Sequence, residues 1–200
     1  MNKVFGIGFH KTGTSSLARA LEILGYRVTG PNGSKDSEIA DKALHMVYEL
    51  ADQFDAFQDN PWPLFYKELD KRYPGSKFIL TVREPDSWIR SQVNYFGENS
   101  TPMRTWIYGV GCPAGNEDIY LNRYNRHNKD VIDYFKDRHE DLLVIDITKK
   151  DCWEEICDFL GHEIPDVSFP HVNKTKVEKV SIFKFFPFNF GKRGNRPGDS

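Results

Sequence analysis

Apolar and polar positions along this chain switch repeatedly between two periods. Runs in which almost every residue is apolar, at 3–9, 77–82 and 142–147, read as buried strands, and the shorter run 55–59 reads as a further one. Between them, apolar residues recur at three- and four-residue intervals. Leu17, Leu21 and Leu24 share one face of a helix over 15–25, which Gly25 stops. The same period predicts helices over 36–54, over 63–75 with Pro74-Gly75 as its stop, over 85–96 opened by Pro85, and over 151–161. A long amphipathic helix over 117–138 carries Tyr120, Tyr124, Val131 and Phe135 at near-helical spacing. Strands that alternate with helices argue an α/β domain built on a mostly parallel sheet with helices on its flanks. Residues 97–116 have no period, only polar, aromatic and glycine residues, and so predict a binding loop or cover. After Pro165 the pattern weakens, and there is no internal repeat.

Composition narrows the partners. The 200 residues fit one domain with a substantial core, and charged residues, 28% of the chain, nearly balance at a formal net charge of −2. Such a balance argues against nucleic acid or an anionic membrane surface as the main partner, while leaving room for a local basic pocket. No apolar run approaches the roughly 20 residues of a membrane span. The first residues pass from Met1 straight into a strand, without the apolar segment of a signal peptide. Three cysteines, Cys112, Cys152 and Cys157, form neither an even disulfide framework nor a metal pattern, which points to reduced thiols and a cytoplasmic location.

The candidate chemistry begins at residues 8–15, GFHKTGTS. Gly8 and Gly13 have the spacing of a phosphate-binding G-x-x-x-x-G-K-[ST] loop and Ser15 stands at the hydroxyl position, but Thr14 replaces the lysine and Lys11 lies inside the loop. The loop joins a strand to a helix. Its amides, the positive end of that helix and the hydroxyls of Thr12, Thr14, Ser15 and Ser16 together suit an anion. With its lysine two residues before Gly13, the segment GFHKTGTSSL resembles the 5′-phosphosulfate loop of the sulfotransferases. These share the P-loop fold, a three-layer α/β arrangement, but use 3′-phosphoadenosine-5′-phosphosulfate (PAPS). A kinase stretches its lysine along β- and γ-phosphates with Mg²⁺ on the Ser/Thr. A sulfuryl donor has no γ-phosphate, so a cation aimed at the bridging oxygen suffices and no metal is required.

A second segment, REPDSWIRSQVNYF, resembles the family's 3′-phosphate site, in which an arginine ends a strand and a serine follows eight residues later on the next helix. Arg83 and Ser91 have that separation, and they offer a guanidinium fork and a hydroxyl. The likeness continues through 123–135, 142–161 and 164–175 and marks a compact bacterial-type group. It implies a sulfotransferase domain over 1–175, followed by an aromatic and basic tail over 176–200. The tail stretch Gly191–Asp199 is a loose match to a basic segment that closes over the donor in other members. The resemblance implies a small-molecule or glycan acceptor with a hydroxyl or amine. The general base is less determined: the region where family members carry a histidine or glutamate offers Asp59, which is equally placed to cap a helix from Pro61 or Pro63. His10 and His127 are the reserves. Trp62, Trp88, Trp106 and Tyr108 could line an acceptor pocket or pack in the core. The rival readings are a P-loop kinase, with Asp146 at the end of LLVID holding magnesium, and a nucleotide-binding module without turnover.

Overall fold

A computed structural model describes residues 2–149 and 151–172; the expected tail at 176–200 lies outside them. Five strands, β1 (Val4–Gly6), β2 (Val28–Thr29), β3 (Ala56–Phe57), β4 (Lys77–Thr81) and β5 (Leu142–Ile145), form one sheet in the order β2-β3-β1-β4-β5. Every pairing is parallel. The seven helices are α1 (Thr14–Ile23), α2 (Ile39–Gln53), α3 (Tyr66–Arg72), α4 (Pro85–Phe96), α5 (Pro102–Tyr108), α6 (Glu117–Tyr134) and α7 (Trp153–Leu160), with a 3₁₀ turn over Trp62–Phe65. The expected α/β architecture is present, and its sheet is wholly parallel among the described residues.

The central strands β3, β1 and β4 are buried on both faces, with successive side chains pointing to opposite sides. Val4, Ala56 and Ile79 pack with Leu17 and Leu21 of α1 and Trp153 and Ile156 of α7. Their neighbours Phe5, Phe57 and Phe78 face the other way, against Val47 of α2, Leu69 of α3 and Val131 of α6. There the Phe5 ring stacks on Phe57 at 4.8 Å and on Phe78 at 5.4 Å, each such pair contributing about 0.5–1.5 kcal/mol beyond its buried area. A third apolar cluster, which includes Phe9, Trp88, Tyr108, Tyr120 and Tyr124, closes the carboxyl end of the sheet.

Local signals explain the ends of the helices. Gly25, at φ 91°, supplies the left-handed residue after α1, and the Tyr26 amide donates back to the Leu21 carbonyl at 3.0 Å. Glu84 caps α4 by accepting from the amides of Asp86 and Ser87. One expectation is corrected. Residues 97–116 are not without structure, since they contain α5, with Thr101 accepting from the Arg104 amide at 3.2 Å, Pro102 in the first turn and Gly109 at φ 77° after the end.

Chain direction across the sheet reverses around β1, which puts the usual α/β ligand crevice at the carboxyl ends of β3, β1 and β4. Gly8, just past β1, touches the end of β4 so closely that a Cβ would lie 2.1 Å from the Thr81 hydroxyl and 2.3 Å from the Thr81 carbonyl oxygen. Gly8→Ala must therefore push β1 and β4 apart. The expected cost is near the upper end of about 1–3 kcal/mol, read as a lower urea midpoint at unchanged m-value; an unchanged midpoint would contradict this account of Gly8.

Candidate functional site

All five strands deliver residues from their carboxyl ends to a single cavity of about 690 Å³. The loop after β1 contributes His10, Lys11 and Gly13, and the loops after β2 and β3 bring Ser34 and Asp59. Arg83 follows β4 and Thr148 follows β5. Ser91 and Phe96 of α4 and Met103 and Arg104 of α5 complete the walls.

The β1 loop is shaped by where its carbonyls go. The Phe9 carbonyl accepts the Thr12 hydroxyl at 2.6 Å. The His10 carbonyl accepts two buried donors, Trp88 Nε1 and Gln92 Nε2, each at 3.0 Å. The Lys11 carbonyl lies 3.4 Å from Arg83 Nη1. Three successive carbonyls are held by side chains, the Ser16 amide donates to the Gly13 carbonyl at 2.9 Å, and the Thr14 and Ser15 amides that open α1 have no intrahelical acceptor, so the loop offers donors to an anion. Gly13, at φ 96°, sits against Ile147, which a Cβ would approach to 2.6 Å.

The side chains named from the sequence divide into groups. Lys11, Gly13, Thr14, Ser15, Ser16, Arg83, Ser91 and Asp59 share the cavity lining, although they come from four separate segments. Thr12 does not join them. Its fully buried hydroxyl is committed to the Phe9 carbonyl and to the Thr81 hydroxyl at 2.6 Å, leaving only its amide for a ligand. The Thr14 hydroxyl donates to Asp59 Oδ2 at 2.9 Å, and the Ser16 hydroxyl accepts from the Val172 amide at 3.0 Å.

Lys11 is half-buried, and its ammonium lies 3.6 Å from the ring centroid of the exposed Tyr95. Burial lowers its pKa and the nearby Arg83 lowers it further, while Asp59 opposes them. Asp59 also accepts from the Asn60 amide at 2.7 Å through Oδ1. The following 3₁₀ turn receives the Asp59 backbone carbonyl, not its side chain, so the carboxylate is not that turn's cap. Lys11, at φ 67°, and Asp59, at φ 63°, are the residues other than glycine with positive φ among those described.

Both reserve histidines are buried and neutral at physiological pH. Burial pushes His10 down to about 4, with Asp59 offsetting part of the effect. Its Nδ1 accepts from the Asn60 amide group at 2.5 Å, so its proton sits on Nε2, 3.3 Å from the Tyr108 hydroxyl, and neither ring nitrogen is free to take a proton. Burial also pushes His127 to about 4; it donates to the Ile7 carbonyl at 2.8 Å and stacks on Phe9 at 4.3 Å, outside the cavity lining. Among the four aromatics considered for an acceptor pocket, Trp62 and Trp88 are fully buried in the core, Tyr108 packs on Tyr120 at 3.8 Å, and Trp106 packs near Phe65 at 6.0 Å. The cavity instead takes Thr101, Met103 and Arg104 from the same region. Sequence reasoning missed these three, and the Thr101-Pro102…Gly109 punctuation was the available signal. Asp146 is held in its own turn by the Thr148 hydroxyl at 2.6 Å and by Lys149 at 2.9 Å, and is not part of the lining.

A family model described as a sulfotransferase domain matches residues 3–116 and 101–177, most of the chain. The chain belongs to the sulfotransferase-domain family. It is 24% identical over 214 aligned positions to a protein of Aspergillus versicolor named Ava biosynthesis cluster protein M, spanning 85% of this chain and 80% of that relative. Among the described residues of this sulfotransferase-domain chain, no helix is long and apolar enough to cross a membrane, and no group of three His, Cys, Asp or Glu residues is arranged to hold a metal ion.

The two buried histidines predict how stability depends on pH. Their folded pKa values of about 4 lie below the ordinary value of 6.5. The unfolded chain therefore takes up protons first, as pH falls below 6.5. Stability should be insensitive to these groups above that pH and fall between 6.5 and 4, with a slope approaching about 1.4 kcal/mol per pH unit for each histidine. Urea unfolding from pH 8 to pH 5 measures it, and a flat profile would show that the rings are protonated in the fold.

Proposed function

We propose that this sulfotransferase-type protein moves a sulfuryl group from PAPS to a hydroxyl on a small acceptor. The observation that supports the reading best is that Lys11 with the α1 amides, and Arg83 with Ser91, share one cavity. A donor with phosphates at both its 5′ and 3′ positions needs two such anion sites. Lys11 and the amides of 12–15 would receive the 5′ end, beside the hydroxyls of Thr14, Ser15 and Ser16. Arg83, aided by Ser91 on the cavity face of α4, would receive the 3′-phosphate as a charge-assisted pair. As the acceptor oxygen attacks sulfur, the bond between sulfur and the phosphate oxygen breaks. Lys11 stabilises the charge that develops on the leaving phosphate, and Asp59 takes the acceptor's proton. The kinase alternative draws no support from Asp146, whose carboxylate is engaged by its own turn.

Calorimetric titration of the protein with 3′,5′-ADP and with Mg-ATP tests the donor. Preference for 3′,5′-ADP without metal is expected, and preference for Mg-ATP would replace the proposal with the kinase reading. Arg83→Ala should weaken binding of 3′,5′-ADP by about 1.5–3 kcal/mol, with Ser91→Ala costing less. The Arg83→Ala protein should also lose its discrimination against 5′-AMP; retained discrimination would make Arg83 a structural partner of the Lys11 carbonyl only.

The chemical step has its own signatures. Lys11→Ala should lower kcat by roughly 10²-fold or more with a smaller effect on 3′,5′-ADP binding. Asp59→Asn preserves the shape and removes the basicity, so kcat should fall by about 10²–10⁴-fold while the melting temperature stays nearly constant. Full activity in the Asp59→Asn protein would rule the carboxylate out as the base.

A further inference from the structure

The Lys11 ammonium has an unusual set of neighbours for a half-buried cation. Among the described residues it makes no hydrogen bond and no ion pair, and its direct contact is the Tyr95 ring, whose centroid lies 3.6 Å away. The charged groups that act on it come from two other elements. Burial lowers its pKa and Arg83, after β4, lowers it further, while Asp59, after β3, opposes them. His10, the preceding residue, is neutral. An ammonium disfavoured by burial and by a second cation gains from the negative face of an aromatic ring, and 3.6 Å is well inside the roughly 6 Å over which that attraction acts.

Tyr95 is placed for this contact and little else. It is 67% exposed, its hydroxyl has no partner among the described residues, and its ring meets Phe96 edge-on at 4.8 Å. It nevertheless belongs to the cavity lining, one helical turn after Ser91 and on the same face of α4. The helix itself is tied to the β1 loop at the residue before Lys11, because Trp88 and Gln92 both donate to the His10 carbonyl. α4 therefore meets the loop twice in succession, through the backbone at residue 10 and through the side chain at residue 11. The left-handed backbone of Lys11, at φ 67°, accompanies this direction of its side chain.

We propose, on the sulfuryl-transfer reading above, that Tyr95 is a positioning residue: its ring seats the Lys11 ammonium beside the place of the donor's 5′ end, and the donor's phosphate oxygen takes the ammonium over on binding. A phosphate holds an ammonium more firmly than a ring face does, so the seat gives way to the donor. Because Ser91 and Tyr95 share one face, a single helix then sets both the hydroxyl for the 3′-phosphate and the cation for the 5′ end.

The test follows Lys11 itself, by NMR of the full-length protein carrying ¹³C-lysine, with Lys11→Arg identifying its ε-methylene signal. The ring should displace that signal upfield of lysines that have no aromatic neighbour. Tyr95→Leu should abolish the displacement and lower the titration midpoint of the amine by about half a pH unit, roughly a threefold gain of neutral amine at fixed pH. Tyr95→Phe, which keeps the ring and has no hydroxyl, should preserve both. The melting temperature of each variant should stay near that of the wild type, since the side chain is two-thirds exposed. Saturation of the wild-type protein with 3′,5′-ADP should move the Lys11 signal as the ammonium turns to the phosphate. An undisplaced signal in the wild type, or a Tyr95→Leu protein with the displacement intact or its midpoint at or above the wild-type value, would overturn the inference. A displacement that depends on the ring but does not respond to 3′,5′-ADP would support the seat and sink the donor reading alone.

Discussion

The His10 carbonyl is the point on which the site's geometry depends. It accepts from Trp88 and Gln92, one helical turn apart on α4, and both donors are fully buried. Between these two on the helix stands Ser91, which faces the cavity. The β1 loop and the proposed 3′-phosphate site are thus joined through one peptide group, and their separation is not free to drift. Buried amide and indole donors that lost this carbonyl would each carry an unsatisfied group, at about 1–3 kcal/mol. That penalty holds the β1 loop against α4.

A second tie runs through β4. Thr81, the last residue of that strand, presses its backbone against Gly8 and shares a hydroxyl contact with Thr12. Two residues later comes Arg83, whose amide donates to the Tyr124 hydroxyl at 2.8 Å and whose carbonyl accepts from it at 2.7 Å. Tyr124 in turn stacks on Trp88 at 4.2 Å. Loop, strand end, α4 and α6 therefore form a closed ring of contacts around the two proposed anion sites. The aromatic residues that looked suited to a substrate pocket serve this ring instead, because indole and phenol groups combine a large buried face with one polar atom that can be aimed.

Much of this was legible along the chain, for identifiable reasons. β4 and α6 are long enough for their periods to repeat, and the displaced Lys11 and the Arg83…Ser91 spacing are local features that survive without coordinates. α5 was missed because seven residues give a helical period almost nothing to repeat, even though Thr101, Pro102 and Gly109 mark both of its ends. β2 has two residues and no alternation at all. Thr12 reads as a donor hydroxyl in the motif, yet folds inward to Thr81. That Phe96 of α4 and Arg104 of α5 share the cavity wall is not legible along the chain, because it follows only once α4 and the returning 97–116 segment are brought together.

Backbone strain links the two residues assigned to the chemical step. Lys11 and Asp59 both hold left-handed backbone conformations that cost a non-glycine residue roughly 1–2 kcal/mol. Asparagine and aspartate tolerate this region best, while lysine has no local hydrogen bond to offset it. Glycine at either position would relieve the strain and keep the turn, so the side chains are retained against a conformational cost. At Lys11 the observed conformation presents the ammonium to Tyr95 at the cavity, and at Asp59 it presents the carboxylate to Thr14. At each of these two turns the strained backbone aims a charged group into one cavity, a cation at Lys11 and a carboxylate at Asp59, an arrangement compatible with the proposed in-line transfer, which asks for a cation at the leaving group and a base at the nucleophile.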